Sequence, residues 1–270
     1  MRLWLCIAVT SLIGCNVGDR PERLVLGTTH TVEDSGLLDV LADAFTEAHG
    51  RAHRLSVVVA GSGEILALAE RGDVDVVLSH APDAEIALVD AGRVESRRPV
   101  MHNDFVLLGP ASDPAGAAAA GSAAAAFRRI AAAAQPFVSR GDDSGTDRRE
   151  QAVWAETGLV PRWDAYIEAG AGMADGLRLA SQRGAYILSD RATFAVLRNE
   201  LQLVLVHEDG AALVNEYSVL VAANARNAAG ARQLADWLTS GPAQTLIAGY
   251  RAPDGSQALF TPGPRGDRRP

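Results

Sequence analysis

The chain contains no lysine, and its two cysteines both lie within the first fifteen residues. All 25 basic residues are therefore arginine, and 33 acidic residues bring the formal charge to −8. This charge excludes nonspecific binding to nucleic acid, because the phosphate backbone attracts basic surfaces. It does not exclude a small anionic ligand, since a local site can oppose the net charge. With 48% apolar residues, a chain of 270 residues can build one large domain or two lobes.

The first fourteen residues have the pattern of a secretion signal. Arg2 supplies positive charge, residues 3–13 are apolar, and Cys15 follows a glycine. The apolar run is too short to act as a membrane-spanning helix. The pattern resembles a bacterial lipoprotein signal, in which Cys15 carries the lipid and becomes the first mature residue; an ordinary cleaved signal with an incidental cysteine is the alternative. Residues 15–23 then form a polar tether, and no cysteine remains for a disulfide or a thiolate site.

In the first hundred residues, short apolar runs alternate with segments whose apolar residues recur at helical spacing. Residues 24–27, 55–59 and 74–78 predict strands, each followed by a polar turn and an amphipathic helix. Three such units predict a parallel sheet with helices on both faces. Ligands bind beyond the carboxyl ends of the strands in such sheets. Those ends carry hydroxyl groups, glycines and a histidine, in residues 28–31, 61–63 and 79–80.

A similar unit occurs in the second half of the chain. Residues 136–138 predict a buried strand, and a polar turn at 139–146 leads into a predicted helix over 147–157. Unpaired N–H groups and the helix dipole make such a turn an anion site. Arg140 offers a guanidinium, Ser144 and Thr146 offer hydroxyls, and Gly145 allows close approach of the backbone. A capped helix beside a solvated arginine is the alternative interpretation.

The two halves predict two α/β lobes with a ligand cleft between them, an architecture that captures a small solute by hinge closure. Residues 24–103 and 216–262 are predicted to form the first lobe, and residues 104–215 the second. Residues 263–270 lack apolar side chains and predict a disordered tail.

Four segments, taken in order, resemble motifs of the tungstate-binding, TupA-like substrate-binding lipoproteins of ABC importers: residues 28–39, 97–106, 139–146 and 184–191. The likeness spans residues 24–262. It implies the two-lobed type II periplasmic-binding-protein fold and an extracytoplasmic position, anchored by lipid to a bacterial membrane. It also implies a monomer without catalysis or cofactor, which delivers an oxyanion to the permease subunits of an ABC transporter.

Carried over residue by residue, the resemblance implies ligand contacts in both lobes. The family has a run of threonines closed by serine where this chain has His30 and Thr31. Thr31 keeps a hydroxyl, whereas His30 could be a donor whose charge depends on pH. The implied ligand-binding residues are Thr28, Thr29, Ser62, Arg140, Ser144 and Thr146, and the possible ones are His30, Thr31 and Gly145.

Tungstate and molybdate are tetrahedral dianions whose oxygens only accept hydrogen bonds. A site of donors without carboxylates suits them and disfavours a protonated phosphate, which needs an acceptor. Asp142 and Asp143 would repel such a ligand, so we expect them to cap the helix or to hold Arg140 in place.

Three alternatives stay open. The same fold could bind molybdate, sulfate or phosphate in place of tungstate. A metal-cation receptor would use His30, His80 and His102, which lie in separate segments. A serine hydrolase would use Ser144 as its nucleophile, but no Gly-x-Ser-x-Gly sequence surrounds that residue.

Overall fold

The computed structural model describes residues 21–50, 52–210 and 212–264. The predicted signal, the lipidation site Cys15 and most of the tether lie outside these residues, as do residues 265–270 of the predicted tail. Within the described part, no helix is both long enough and apolar enough to cross a membrane. Gly263, in the described part of the tail, donates its N–H to the carbonyl oxygen of Val100 at 2.8 Å.

Strands and α-helices alternate along most of the described chain. The strands are β1 (Glu22–Thr29), β2 (His53–Ala60), β3 (Val76–Ser79), β4 (Val94–Pro110), β5 (Phe137–Ser139), β6 (Tyr166–Glu168), β7 (Ile187–Asp190), β8 (Leu203–Glu208), β9 (Val214–Ala222) and β10 (Thr261–Pro262). The helices are α1 (His30–Asp34), α2 (Leu37–His49), α3 (Ser62–Arg71), α4 (Pro82–Asp90), α5 (Ala123–Ala132), α6 (Gly145–Thr157), α7 (Met173–Arg183), α8 (Arg191–Leu197), α9 (Ala228–Leu238) and α10 (Gly241–Gly249).

The main sheet is mixed, with the strand order β10-β4-β9-β3-β1-β2. β1 pairs in parallel with β2 and β3, as the strand–helix units predict. β9 is antiparallel to both β3 and β4, so the prediction of a parallel sheet holds only for the first three strands. The apolar pattern of a strand indicates how buried it is, but not whether its neighbour runs parallel or antiparallel to it. The sequence therefore does not predict the antiparallel position of β9.

β4 connects the two lobes. It is 17 residues long and pairs with β9 as far as Asp104. From Phe105 onward it pairs instead with β7 on one side and β8 on the other. The sequence predicts only residues 103–110 of this strand. The preceding segment contains Pro99 and several charged residues, which are uncommon in strands, and pairing with β9 overrides that local preference.

Aromatic packing in the second lobe fixes the position of α6. Trp154 on α6 lies 4.6 Å from Phe127 of α5 and 5.4 Å from Phe137 of β5, measured between ring centroids. All three rings are buried. Burying one large aromatic side chain contributes about 1.5–3 kcal/mol. The contacts therefore hold α6, whose first turn carries the predicted anion site, against the core of the second lobe.

Candidate functional site

The carboxyl end of β1 brings two threonines into the cleft. The sequence predicts residues 28–31 as a polar loop, but Thr28 and Thr29 end β1, and His30 and Thr31 begin α1. The reason is that the β1–β2 ladder continues as far as the pair Thr29 and Ala60. The Thr28 hydroxyl donates to the carbonyl oxygen of Leu78 at 3.1 Å. The Thr29 hydroxyl is buried and has no hydrogen-bond partner among the described residues.

Two further hydroxyls share this property. Ser62 is the first residue of α3, and Thr146 is the second residue of α6. Both are fully buried, and neither side-chain oxygen has a hydrogen-bond partner in the part of the chain that the structure describes. A buried polar group without a partner costs about 1–3 kcal/mol. Three such hydroxyls, counting Thr29, suit a polar ligand.

Arg140 is held in place by its own lobe. Its side chain is only 1% exposed. Nε donates to the carbonyl oxygen of Ala171 at 3.2 Å, and Nη2 forms an ion pair with Asp142. Asp142 also accepts the N–H of Ser144 at 3.2 Å, so the expectation that it holds Arg140 is confirmed. Asp143 pairs instead with the guanidinium of Arg148 at 2.9 Å, in exposed positions.

The turn before α6 uses many of its backbone donors internally. The carboxylate of Asp147 accepts the N–H of Gly141 at 3.1 Å and that of Asp143 at 3.2 Å. The Ser144 hydroxyl oxygen accepts the N–H of Asp147 at 3.2 Å and so caps the helix. The sequence predicts an open row of N–H groups here, but the chain's own carboxylates occupy part of it. The Ser144 oxygen acts as an acceptor in this contact, so its hydroxyl proton can still be donated to a ligand.

The two lobes touch at their glycine-rich turns. A Cβ added to Gly63 would lie 2.5 Å from the carboxylate of Asp143, across the cleft. A Cβ added to Gly145 would lie 2.6 Å from the ring of His80, also across the cleft. Real side chains do not approach so closely. Glycine at these positions therefore permits the turns of the two lobes to close on each other.

A buried polar network lies where β4 and β9 connect the lobes. His80 stacks on Tyr217 at 4.9 Å, and its Nδ1 lies 2.7 Å from Oδ1 of Asn215. The amide of Asn215 in turn donates to Asn103 at 2.8 Å and to the Tyr217 hydroxyl at 2.9 Å. Since Oδ1 can only accept, this arrangement assigns the proton to Nδ1. Burial lowers the pKa of His80 to about 4, so its ring is neutral at pH 7.

Asp190 is a fully buried carboxylate beside this network. Oδ1 accepts the N–H of Thr193 at 2.8 Å and caps α8, while Oδ2 has no hydrogen-bond partner in the described segments. Burial raises the pKa of Asp190 to about 6. The N–H and the hydroxyl of Thr193, and then the positive charge of Arg140, oppose the rise. The sequence predicts a site without carboxylates, yet Asp142 and Asp190 both lie within electrostatic reach of Arg140. An aspartate between a buried strand and a helix start was the available signal for Asp190.

The remaining predicted residues behave differently from one another. The His30 side chain is 39% exposed, and its Nδ1 lies 3.6 Å from the Glu33 carboxylate on the surface of α1. Thr31 is buried, and its hydroxyl lies near that of Tyr217, where it helps to lower the pKa of the tyrosine. Gly145 is the first residue of α6 and lies against His80.

A cavity of about 530 Å³ adjoins the cluster of predicted residues. Its lining includes His80, Phe105, Gly145, Arg149 and Glu216. Gly145 is thus the one predicted ligand residue that borders it. The other predicted residues lie outside the lining of this open space.

The histidines do not assemble a metal site. Among residues 21–50, 52–210 and 212–264, no group of three or more histidine, cysteine or acidic side chains could hold a metal ion. His102 lies 3.3 Å from the carbonyl oxygen of Gly263, and His53 lies 2.8 Å from the Gln233 amide. These contacts do not favour the cation-receptor alternative.

Two α/β lobes joined by two long strands, with buried hydroxyls and an arginine where they meet, define a solute-binding protein of the periplasmic type. The sequence model of the "PBP superfamily domain" matches residues 16–242. The chain is 37% identical to the tungstate-binding protein TupA of Peptoclostridium acidaminophilum over 268 residues, 93% of each chain. It belongs to this superfamily and, within it, to the family of the TupA proteins.

Two further relatives support this assignment. A putative ABC transporter anion-binding protein of Haloferax volcanii is 40% identical over 257 residues, which cover 92% of this chain and 74% of the relative. The crystal structure of the tungstate ABC transporter from Geobacter sulfurreducens superimposes with a TM-score of 0.76 at 36% identity. That match covers 85% of this chain and 99% of the other. The two-lobed α/β fold is thereby confirmed.

Proposed function

We propose that this protein is an extracytoplasmic receptor that captures a tetrahedral oxyanion, tungstate first of all, and delivers it to the permease of an ABC transporter. The observation that carries the proposal is that Arg140 and three buried hydroxyls without a partner in the described residues lie where the lobes touch, Thr29 and Ser62 in one lobe and Thr146 in the other. Ser62 lies between two glycines that approach the Arg140 turn, and Thr29 ends β1 beside Ala60. The tungstate-binding and anion-binding relatives point to the same class of ligand. The proposed activity needs no cofactor.

The donors are sufficient for tight binding. A charge-assisted hydrogen bond contributes about 1.5–3 kcal/mol, and a neutral one about 1 kcal/mol. A guanidinium has five N–H donors, and Arg140 uses two of them within its own lobe. The remaining donors, the hydroxyls of Thr29, Ser62, Ser144 and Thr146, and the first N–H groups of α6 could together reach nanomolar affinity, about 12 kcal/mol. Thr28 contributes less, because its proton is donated to Leu78.

A protonated oxyanion such as hydrogen phosphate is the second candidate. The observation that favours it is Oδ2 of Asp190, a buried acceptor without a partner in the described residues. A hydrogen phosphate could donate its proton to that oxygen, whereas a fully ionised tungstate has none to donate. Molybdate and sulfate share the acceptor-only chemistry of tungstate; molybdate has nearly the same size, and sulfate is smaller.

Titration calorimetry of the purified mature chain with tungstate, molybdate, sulfate and phosphate tests the proposal. We expect the affinity for tungstate to fall a hundredfold or more in Arg140→Ala, because a full positive charge and its paired donors are lost, at a cost of about 2–5 kcal/mol. Arg178→Ala, which removes an exposed arginine on α7 of the same lobe, is the matched control and should change the affinity less than threefold.

Circular dichroism of both variants provides the folding control. If none of the four oxyanions binds the parent protein, the proposed function is wrong. If folded Arg140→Ala binds within threefold of the parent, the function stands but the site assigned to it does not.

The proposal includes a lipid anchor at Cys15, association with permease subunits and a monomeric receptor. The signal-like sequence before Cys15 supports the anchor. The family relationship supports the permease as partner.

A further inference from the structure

Asp190 occupies an unusual position for a carboxylate in an anion-binding protein. It is fully buried at the end of β7, where it meets α8. One oxygen, Oδ1, caps α8 through the N–H of Thr193, and the other, Oδ2, accepts no hydrogen bond within 3.5 Å among the described residues. The Thr193 hydroxyl, which also lacks a partner there, is close enough to help lower the pKa of the carboxyl group. Asp190 pairs with Phe105 of β4, and its carboxylate lies within electrostatic reach of Arg140 and Tyr217.

The charges around Asp190 do not favour a second anion. Arg140 supplies one positive charge, and its ion-pair partner Asp142 already offsets it. Asp34, at the end of α1, adds a further carboxylate that faces Asp190. Arg191, the next residue in the chain, is directed to the exposed carboxylates of Asp104 and Glu208.

The remaining titratable neighbours are neutral at pH 7. Burial raises the pKa of Tyr217 well above its ordinary value, so its hydroxyl is protonated. The His80 ring is neutral because burial lowers its pKa. An oxyanion that enters this cleft therefore meets one guanidinium, that of Arg140, and three carboxylates. These are the side chains of Asp34, Asp142 and Asp190.

We propose that Asp190 takes up a proton from solvent when the oxyanion binds, so that its carboxyl group becomes a hydrogen-bond donor to the ligand. This inference rests on the proposed function. The step requires only one proton, which moves from water or buffer to Oδ2, and no bond in the ligand is broken. Protonation removes the repulsion between carboxylate and dianion and turns an unpartnered acceptor into a donor.

The coupling between proton binding at Asp190 and oxyanion binding determines how the affinity changes with pH. In the free protein the pKa of Asp190 is raised to about 6 by burial, so the carboxylate is mostly ionised at pH 7.5. A bound dianion raises the pKa further, because it disfavours a second negative charge. Affinity is then independent of pH below about 6 and falls about tenfold for each pH unit above it, until the pKa of the complex is reached.

Calorimetry in buffers of different ionisation enthalpy measures the proton directly. We expect the parent protein to take up close to one proton per tungstate bound at pH 7.5. Asp190→Asn keeps the helix cap and presents a neutral donor, so it should bind at least as tightly at pH 7.5 without proton uptake. Its affinity should change less than threefold between pH 6 and pH 8.

Asp34→Asn is the matched control, because Asp34 is a partly buried carboxylate whose pKa burial also raises. It should retain the proton uptake of the parent. Loss of the uptake in Asp34→Asn but not in folded Asp190→Asn would overturn the assignment to Asp190.

The two proposals fail in different ways. Tungstate binding by the parent without proton uptake overturns this inference and leaves the proposed function intact, and it decides the matter even if Asp190→Asn does not fold. Absence of binding to every oxyanion overturns both. Phosphate binding that is lost in Asp190→Asn, again without proton uptake, would make Asp190 an acceptor for a protonated ligand and would also overturn the inference.

Discussion

Glu150 makes the stability of the second lobe depend on pH. This residue of α6 is 1% exposed. One of its carboxyl oxygens, Oε1, accepts both the indole N–H of Trp154 at 3.1 Å and the hydroxyl of Tyr166 at 2.9 Å. Burial raises the pKa of Glu150 from 4.5 to about 8, and the negative charge of Asp147 adds to the rise. At pH 7 the carboxyl group is therefore protonated in the folded protein and ionised in the unfolded chain.

The sign of the effect follows from this difference. The folded state holds the proton more tightly, so the stabilising contribution is complete below pH 4.5 and is lost as the pH rises through 8. A pKa difference of this size corresponds to a total loss of about 5 kcal/mol in the free energy of unfolding between low and high pH. About 3 kcal/mol of it is already lost at pH 7. Relaxation of the core around an ionised carboxylate would reduce both values.

Glu150→Gln removes the titration and keeps Oε1 as an acceptor for Trp154 and Tyr166. We expect the variant to be more stable than the parent by about 3 kcal/mol at pH 7 and by less than about 1 kcal/mol at pH 5. Urea unfolding between pH 5 and pH 8.5, followed by tryptophan fluorescence, measures the difference. Glu47→Gln, on the exposed side of α2, keeps Glu150 and is the control; its stability should follow the pH profile of the parent. Parallel pH profiles for Glu150→Gln and the parent would refute the reasoning.

Two other predictions concern a buried ion pair and the anchor. Arg97 donates to the fully buried carboxylate of Glu85 at 2.7 Å, so Arg97→Ala should destabilise the protein by about 3–5 kcal/mol in urea unfolding. The exposed ion pair of its neighbour Arg98 should contribute less than about 1 kcal/mol, and equal losses for the two variants would contradict the argument. Metabolic labelling with a fatty-acid analogue should mark the parent and not Cys15→Ser; label that persists in the variant excludes Cys15 as the anchor.

The regular elements could be predicted where apolar periodicity was strong. The apolar spacing of the sequence predicts helices over 173–183 and 228–238, and α7 and α9 begin and end at these residues. Both have a clear apolar face, and α7 ends at a glycine, Gly184, in the left-handed conformation. The first half of β4 could not be predicted, because its pairing with β9 joins residues more than 110 positions apart. No local pattern reports such a contact.

The turn that carries the candidate site could be predicted from local sequence, but the contacts of its side chains could not. Arg140 and Ser144 follow from a strand-to-helix turn that local sequence defines. Which of two adjacent threonines keeps a free hydroxyl depends on whether Leu78, fifty residues away, presents its carbonyl to Thr28. The burial of Asp190 depends likewise on distant segments, β4 and α1. From the local sequence, Asp190 therefore looks like an ordinary helix cap.

The arrangement of the donors explains why ligand binding and lobe closure should be one event. Asp142 and the carbonyl oxygen of Ala171 fix the guanidinium of Arg140 before any ligand arrives, so little further side-chain entropy is lost on binding. Thr146 is equally fixed, because Trp154 packs α6 against the core of the second lobe. Thr29, by contrast, is held by the sheet of the first lobe. Each set of donors is rigid within its own lobe, so an oxyanion satisfies both sets only when the lobes meet.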